Sequence, residues 1–314
     1  MTFLDRLVRW RDRRAISPEQ YALLAGLCRR DPFSVFLELN VLLYAGILAF
    51  VAGMGWTVTT WSQQLGDIIL LNVLTALLGG CFWYCFSRAP AWSSAAIASP
   101  NLIFDYVLYL GCLVWLVEFG YLEKRFEIFT GQWDFYLLLT AGLFFFLAYR
   151  FDNRLVLSLA LSSLAGWFGL AIARWQFHQD APYRQCAIAY SLLTSGAGVT
   201  LQRRGLKPHF LGAYLNIAAN VLFWALVSGV FEREGRALWF LCLLAACGAS
   251  LVWGIRQRQF SFVVYAAIYG YVGVNSMLVR DLHNDSATIG CFLVTGIAVL
   301  IGLVRIARRF GREV

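Results

Sequence analysis

The feature that most constrains this chain is a series of apolar runs, each about as long as a bilayer core is thick. Crossing the hydrocarbon core takes about 20 residues of helix. Inside lipid, a chain must satisfy its backbone hydrogen bonds within each segment, which favours helices. We therefore predict an all-α integral membrane protein with about ten transmembrane helices, at Val35–Thr57, Asp67–Ser87, Leu102–Gly120, Trp133–Tyr149, Leu155–Ala173, Gln185–Leu201, Phe210–Phe231, Ala237–Ile255, Phe260–Val279 and Thr288–Ala307.

Composition supports this class. Of the 314 residues, 60% are hydrophobic and 14% are charged, whereas about 25% are charged in a typical soluble domain. The net charge of +8 comes from basic residues that fall mostly between the apolar runs. They are therefore interpreted as topology signals and lipid-headgroup contacts rather than as a nucleic-acid surface, and the expected partner is the lipid bilayer.

The distribution of basic residues predicts the orientation. With the N-terminus inside, 19 of the 26 lysines and arginines lie in cytoplasmic segments. An excess of Lys and Arg marks the cytoplasmic side of short loops. The bias predicts that both termini are cytoplasmic, which requires an even number of spans.

The first 34 residues have a different pattern. We predict that residues 1–34 form a cytoplasmic or interfacial amphipathic helical hairpin, that residues 35–307 form the transmembrane bundle, and that residues 308–314 form a short basic tail. Ser17 is the expected N-cap of the second hairpin helix and Gln20 stands at its capping-box position. The basic face of the hairpin suits anionic headgroups at the cytoplasmic face, or else a protein partner.

Polar side chains at membrane depth are the candidates for function, because they are costly there and usually have a role. The primary candidates would line a polar cavity open to the cytoplasm, where two carboxyls bind a cation or relay protons; they are Glu38, Asp105, Asn216 and Asn220. The alternative is that these groups hydrogen-bond neighbouring helices. Secondary candidates are Tyr265, Tyr269 and Asn275 in the ninth run, where packing is the alternative.

The short polar stretch at residues 150–154 separates two apolar runs. We interpret it as a cytoplasmic turn, with Arg150 and Arg154 as topology anchors and Asp152 or Asn153 as the cap of the following helix.

The chain has no H-E-x-x-H, G-x-S-x-G or Walker A pattern, and none of its 8 cysteines forms a C-x-x-C pair. A non-enzymatic role is favoured, although an enzyme stays open, and neither a metal nor a cofactor is expected.

Three stretches carry a family likeness: "RWRDRRAISPEQYALLAGL" leading into "LLYAGILAFVAGMGW", then "FDNRLVLSLALSSLAGWFG", and finally "YAAIYGYVGVN". In these stretches the chain resembles the bacterial predicted membrane proteins called domain of unknown function 2157. The resemblance implies a multi-pass protein of the bacterial plasma (inner) membrane. It implies no reaction and no catalytic residues.

Two functions stay open from the sequence. One is a transporter of a small solute or ion that uses the intramembrane polar residues. The other is a non-catalytic accessory or structural membrane protein that docks a partner through its basic N-terminal hairpin.

Overall fold

The computed structural model describes residues 10–12, 17, 19–21, 43, 45–54, 56, 67–97, 99–127, 133–175, 183–232, 235–281 and 285–312. These residues form helices and connecting turns, with no β-strand in the part of the chain that is described. The first predicted span lies partly outside this part, and its described residues include the helical segment Ala45–Met54.

Nine long helices follow one another along the described chain. They are α1 (Asp67–Arg88), α2 (Leu102–Phe126), α3 (Trp133–Phe151), α4 (Arg154–Trp175), α5 (Tyr183–Arg203), α6 (Leu211–Phe231), α7 (Arg236–Arg256), α8 (Phe260–Asp281) and α9 (Asp285–Arg312). A short 3-10 turn, Pro208–Phe210, precedes α6. Each of the nine coincides with one of the predicted spans, with ends that differ by only a few residues in most cases.

Seven helices among the described residues are long and apolar enough to cross a membrane. They are α1, α2, α3, α4, α7 and α8, together with α6 and its preceding 3-10 turn. The all-α membrane class is therefore confirmed, whereas the count of ten stays a prediction. Helix α5 falls outside the seven because it is rich in small and hydroxyl residues, a composition that suits helix–helix contacts.

The chain divides into two compact units, and the first is Gly46–Ala246. Within it, α1 packs along α2, α3 along α4, and α5 along α6. Helices α3 and α4 are joined by a two-residue turn, which makes them a helical hairpin. The second unit includes the described residues from Cys247 onward, where α8 packs along α9.

Several predicted helix ends are present. At the N-terminus, Ser17 and Gln20 exchange both hydrogen bonds of a capping box, Ser17 N–H to Gln20 Oε1 at 3.0 Å and Gln20 N–H to Ser17 Oγ at 3.1 Å. Asn153 caps α4, because its Oδ1 accepts from the amides of Leu155 and Val156. The rest of the predicted hairpin stays a prediction, since most of it lies outside the described residues.

One apolar cluster of the first unit lies against the α3–α4 turn and the 3-10 turn. Phe104, Phe144, Phe151 and Phe210 are almost fully buried in this cluster, to which α1, α2, α3, α4, α6 and the 3-10 turn contribute residues. The rings of Phe104 and Phe151 meet edge to face at 5.6 Å between centroids. These packed phenylalanine rings fix the positions of the α3–α4 and α5–α6 turns, which contain the site described next.

Candidate functional site

Three ionisable side chains meet between two turns of the first unit. Asp152 comes from the α3–α4 turn, whereas Lys207 and His209 come from the α5–α6 turn. The carboxylate lies 2.5 Å from His209 Nε2 and 3.3 Å from Lys207 Nζ. The exposed fractions of the Asp152 and Lys207 side chains are 2% and 0%. We call these three residues the turn cluster.

The loop between α1 and α2 closes over the turn cluster. The Ile97 amide donates to Asp152 Oδ2 at 2.6 Å, and the Lys207 amide donates to the Ser94 carbonyl at 3.0 Å. The carboxylate of Asp152 therefore connects three separate segments. This ion pair is shielded from solvent, so removing one partner alone would leave an uncompensated buried charge, which is costly.

Unusual backbone angles present these side chains. Asp152 has a φ of 58° and Lys207 a φ of 47°, both in the left-handed region that non-glycine residues adopt infrequently. At Asp152 this conformation ends α3, and the next amide, that of Asn153, returns to the Ala148 carbonyl at 3.1 Å. Such a left-handed residue is a common helix stop.

Asp105, one of the predicted site residues, lies beside this cluster in the first turn of α2. Its Oδ1 accepts from Asn153 Nδ2 and from Ser99 Oγ, each at 2.9 Å. The carboxylate thus ties the start of α2 to the start of α4. These contacts suit the structural alternative that the sequence left open.

Asn216 and Asn220 lie one turn apart on α6. Asn216 Nδ2 donates to the Gly212 carbonyl at 2.7 Å, and Asn220 Nδ2 donates to the Asn216 carbonyl at 2.9 Å. The Oδ1 atom of Asn216 is buried and has no hydrogen-bond partner. A buried acceptor without a donor is costly, so this oxygen suits a ligand, a cation or a water molecule.

Glu118 is a second buried oxygen site, between α1 and α2. Its exposed fraction is 5%. Oε1 accepts from Thr75 Oγ1 at 2.5 Å, and Oε2 is buried without a hydrogen-bond partner. Asp105 lies in the first turn of α2, whereas Glu118 lies toward the other end of the helix, where Asp67 bonds Tyr121 and Arg125.

The secondary candidates lie on α8. Asn275 is 1% exposed; its Nδ2 donates to the Tyr271 carbonyl, and its Oδ1 accepts from Thr295 Oγ1 on α9 at 3.0 Å. This contact suits helix packing. The Tyr265 ring packs edge to face with Phe262, 5.9 Å between centroids. Tyr269 is half-buried one turn further along α8, and Glu38 lies outside the described residues.

At the opposite end of the first unit, Arg184 forms an ion pair with Glu232 and lies over the ring of Trp239, with Cζ 4.7 Å from the ring centroid. The hydrogen bond from Arg184 lowers the pKa of Glu232 below its ordinary value. Both ends of the α5–α6 pair are therefore fixed by charged groups.

A family match covers the part of the chain that contains Asp105, Glu118 and Asp152. Residues 8–157 match the family model described as "Predicted membrane protein (DUF2157)". The predicted family resemblance is confirmed. No curated protein and no solved structure is significantly similar to the chain.

The DUF2157 match ends shortly after the α3–α4 turn, so it includes two of the three quoted stretches in whole or in part and excludes "YAAIYGYVGVN". Of the turn cluster, Asp152 lies inside the DUF2157 region, whereas Lys207 and His209 lie beyond it. The family description supports a membrane protein and gives no activity.

The sequence predicts a turn at residues 150–154 but does not predict that Lys207 and His209 contact Asp152. Lys207 and His209 are 55 and 57 residues away from Asp152 along the chain and have no shared motif with it. One local signal was present: Lys207-Pro208 follows Gly205, which marks a tight turn. That signal locates the turn but does not reveal which side chain it buries.

Proposed function

We propose that this membrane protein passes a small cation through its helical bundle. The observation that carries the proposal is the buried, unpartnered Oδ1 atom of Asn216. Asn216 is five residues from the middle of α6, or about 8 Å along the helix axis, and thus well inside a hydrocarbon core about 30 Å thick. An acceptor oxygen at this depth attracts a cation or its hydration water.

The other predicted site residues have different roles in this proposal. Asn220 extends the polar face of α6 toward its middle. Asp105 holds the helix ends at the entrance through Asn153 and Ser99. Glu38 stays a predicted member of the site.

Replacing Asn216 with leucine tests the proposal. In liposomes that contain the purified protein, we expect the flux of H⁺, Na⁺ or K⁺ to fall about tenfold or more, since losing one polar contact of about 1.4 kcal/mol changes an equilibrium tenfold. Asn72→Leu is the matched control, because Asn72 makes the same bond to a carbonyl four residues earlier, Ile68, but is exposed. Wild-type flux no greater than that of protein-free liposomes would contradict the proposal and favour the accessory role.

We also propose the finer topology: ten spans in the bacterial inner membrane, both termini in the cytoplasm, and the N-terminal hairpin lying on anionic headgroups. Two contacts support a hairpin: the Ser17–Gln20 capping box, and the Arg11 guanidinium 4.8 Å from the centroid of the Tyr21 ring. Contacts also bring together the start of α2, the α3–α4 turn and the α5–α6 turn, as alternating spans require.

Reporter fusions test this topology. A reporter active only in the cytoplasm is expected to be active when fused after Val314 or inserted between Arg203 and Gly205, and inactive when inserted at the α2–α3 loop. Activity at the α2–α3 loop, or its loss at Val314, would overturn the assignment.

A further inference from the structure

We propose that Glu118 and Thr75 form a binding site for one monovalent cation, either a proton or Na⁺. The inference rests on the proposed function, because it identifies a second position that a cation would occupy within the same unit. It is carried by a buried carboxylate with one oxygen left unpartnered at membrane depth.

The geometry leaves one oxygen atom of the carboxylate available. Thr75 Oγ1 donates to Glu118 Oε1 at 2.5 Å, and Oε2 is buried without a hydrogen-bond partner. A threonine hydroxyl both donates and accepts. When the hydroxyl proton of Thr75 turns away from Glu118, a lone pair of the Thr75 oxygen is free to serve as a second ligand for a cation.

The depth of this carboxylate makes an uncompensated charge costly. Glu118 is four residues from the middle of α2, about 6 Å along the axis, and Thr75 is about 4 Å from the middle of α1. Both positions are well within the roughly 15 Å that separate the bilayer midplane from either edge of the hydrocarbon. An ionisable residue there is a functional-site candidate by default.

The surroundings are apolar. The α1–α2 interface contains a cluster built on Leu74, Val114 and Tyr121. Leu74 precedes Thr75, while Val114 and Tyr121 lie one turn before and after Glu118 on the same face of α2. A low-dielectric setting strengthens the attraction between a carboxylate and a bound cation.

Among the described residues, the polar partner of the Glu118 carboxylate is the Thr75 hydroxyl, which is neutral, and no basic side chain pairs with this carboxylate. The nearest arginine on the same face of α2, Arg125, lies two turns further on and is paired with Asp67 at 2.7 Å. That pair is neutral as a whole. One positive charge therefore balances the site, whereas a divalent ion would leave a buried excess of charge, which selects a monovalent cation.

Carbodiimide labelling tests the site directly. Dicyclohexylcarbodiimide adds to a protonated carboxyl in an apolar environment and forms a stable adduct that mass spectrometry locates. The test uses liposomes without an ion gradient. If the ligand is Na⁺, we expect labelling of Glu118 to fall at least tenfold when Na⁺ replaces choline at constant ionic strength. If the ligand is a proton, we expect the same fall only when the pH is raised. Glu118→Gln is expected to remove the label from this peptide while the protein still elutes as a folded species.

The hydroxyl is tested by Thr75→Val, which is expected to weaken protection or shift its pH dependence by about tenfold in concentration. Thr200→Val is the matched control, because Thr200 is also exposed on a helix but donates to the Gly196 carbonyl of its own helix. Labelling that responds to neither pH nor Na⁺, or protection by Mg²⁺ alone, would overturn the site.

Labelling and flux separate the two proposals. If wild-type protein shows protected labelling but no flux, the Glu118 site stands and the transport function falls. The opposite result has two parts: Glu118→Gln leaves the cation flux unchanged, and neither Na⁺ nor raised pH reduces the labelling of Glu118 in the wild-type protein. In that case the transport function stands and the Glu118 site falls.

Discussion

Replacing Asp152 with asparagine is expected to lower the free energy of unfolding by about 3–5 kcal/mol, the usual cost of leaving one member of a buried ion pair unpaired. Asparagine adopts the left-handed backbone region readily, so the φ of 58° at this position is retained. The change removes the negative charge and one of the two acceptor oxygens that contact Ile97 N–H and His209. Lys207, with a fully buried side chain, then lacks its counter-charge. Reversible unfolding in mixed micelles of sodium dodecyl sulfate and a mild detergent measures the difference.

An exposed ion pair supplies the control for this variant. Asp12 contacts Arg11 at 2.9 Å with half-exposed side chains, and such pairs contribute about 0–1 kcal/mol. We expect Asp12→Asn to leave stability within that range. A similar loss in Asp12→Asn and Asp152→Asn would contradict the assignment of the turn cluster as a buried clamp.

A second substitution tests the origin of the loss. Adding Lys207→Met to Asp152→Asn removes the unpaired charge and keeps the length of the side chain. Since replacing both partners of a buried pair by neutral groups is often close to neutral, the double variant is expected to be more stable than Asp152→Asn alone. A double variant that is less stable would assign the loss to backbone or packing changes instead.

The helices could be predicted closely from the sequence because apolar runs and charged turns are local signals. The predicted run Phe260–Val279 becomes the helix Phe260–Asp281, and Asn153 caps α4 as expected. Each of these features depends on residues only a few positions apart. The number of helices that actually cross the membrane is a harder quantity, since α5 has a composition between that of a span and that of a packed helix.

The polar sites could be predicted only in part. Depth within the apolar runs identified Asp105 and Asn216, but it does not indicate whether an acceptor finds a donor. Asp105 obtains two donors from residues near the same helix ends, whereas one oxygen of Glu118 has none. Asp105 lies at a helix start, next to polar residues of a loop and a turn, whereas Glu118 lies within α2 beside an apolar cluster.

The buried lysine could not be predicted. A Lys in a basic loop normally extends into solvent, and Lys207 also fits the positive-inside pattern. It is buried because the turn holds its backbone at a φ of 47° and Asp152 supplies the opposite charge. Both conditions depend on the meeting of two turns that are distant in sequence.

Close packing at the other end of the unit gives the second large effect, in Gly229→Ala. A Cβ atom at Gly229 would lie 2.5 Å from Cγ and 3.0 Å from Cβ of Trp239, closer than carbon atoms pack. These atoms are at the root of the side chain, and Arg184 lies over the ring, so the indole cannot simply swing away. We expect a net loss of about 1–3 kcal/mol from overpacking, measured in the same mixed micelles.

Gly212→Ala is the matched control for Gly229→Ala, because Gly212 is on the same helix and has nothing within 4 Å of the added methyl group. Alanine is favoured over glycine in a helix by up to about 1 kcal/mol, so Gly212→Ala is expected to be neutral or stabilising. In a Trp239→Ala background the ring clash disappears, and the cost of Gly229→Ala should shrink by more than half. An unchanged cost in that background would show that α6 and α7 do not meet through this glycine, since contacting residues couple and separated ones add.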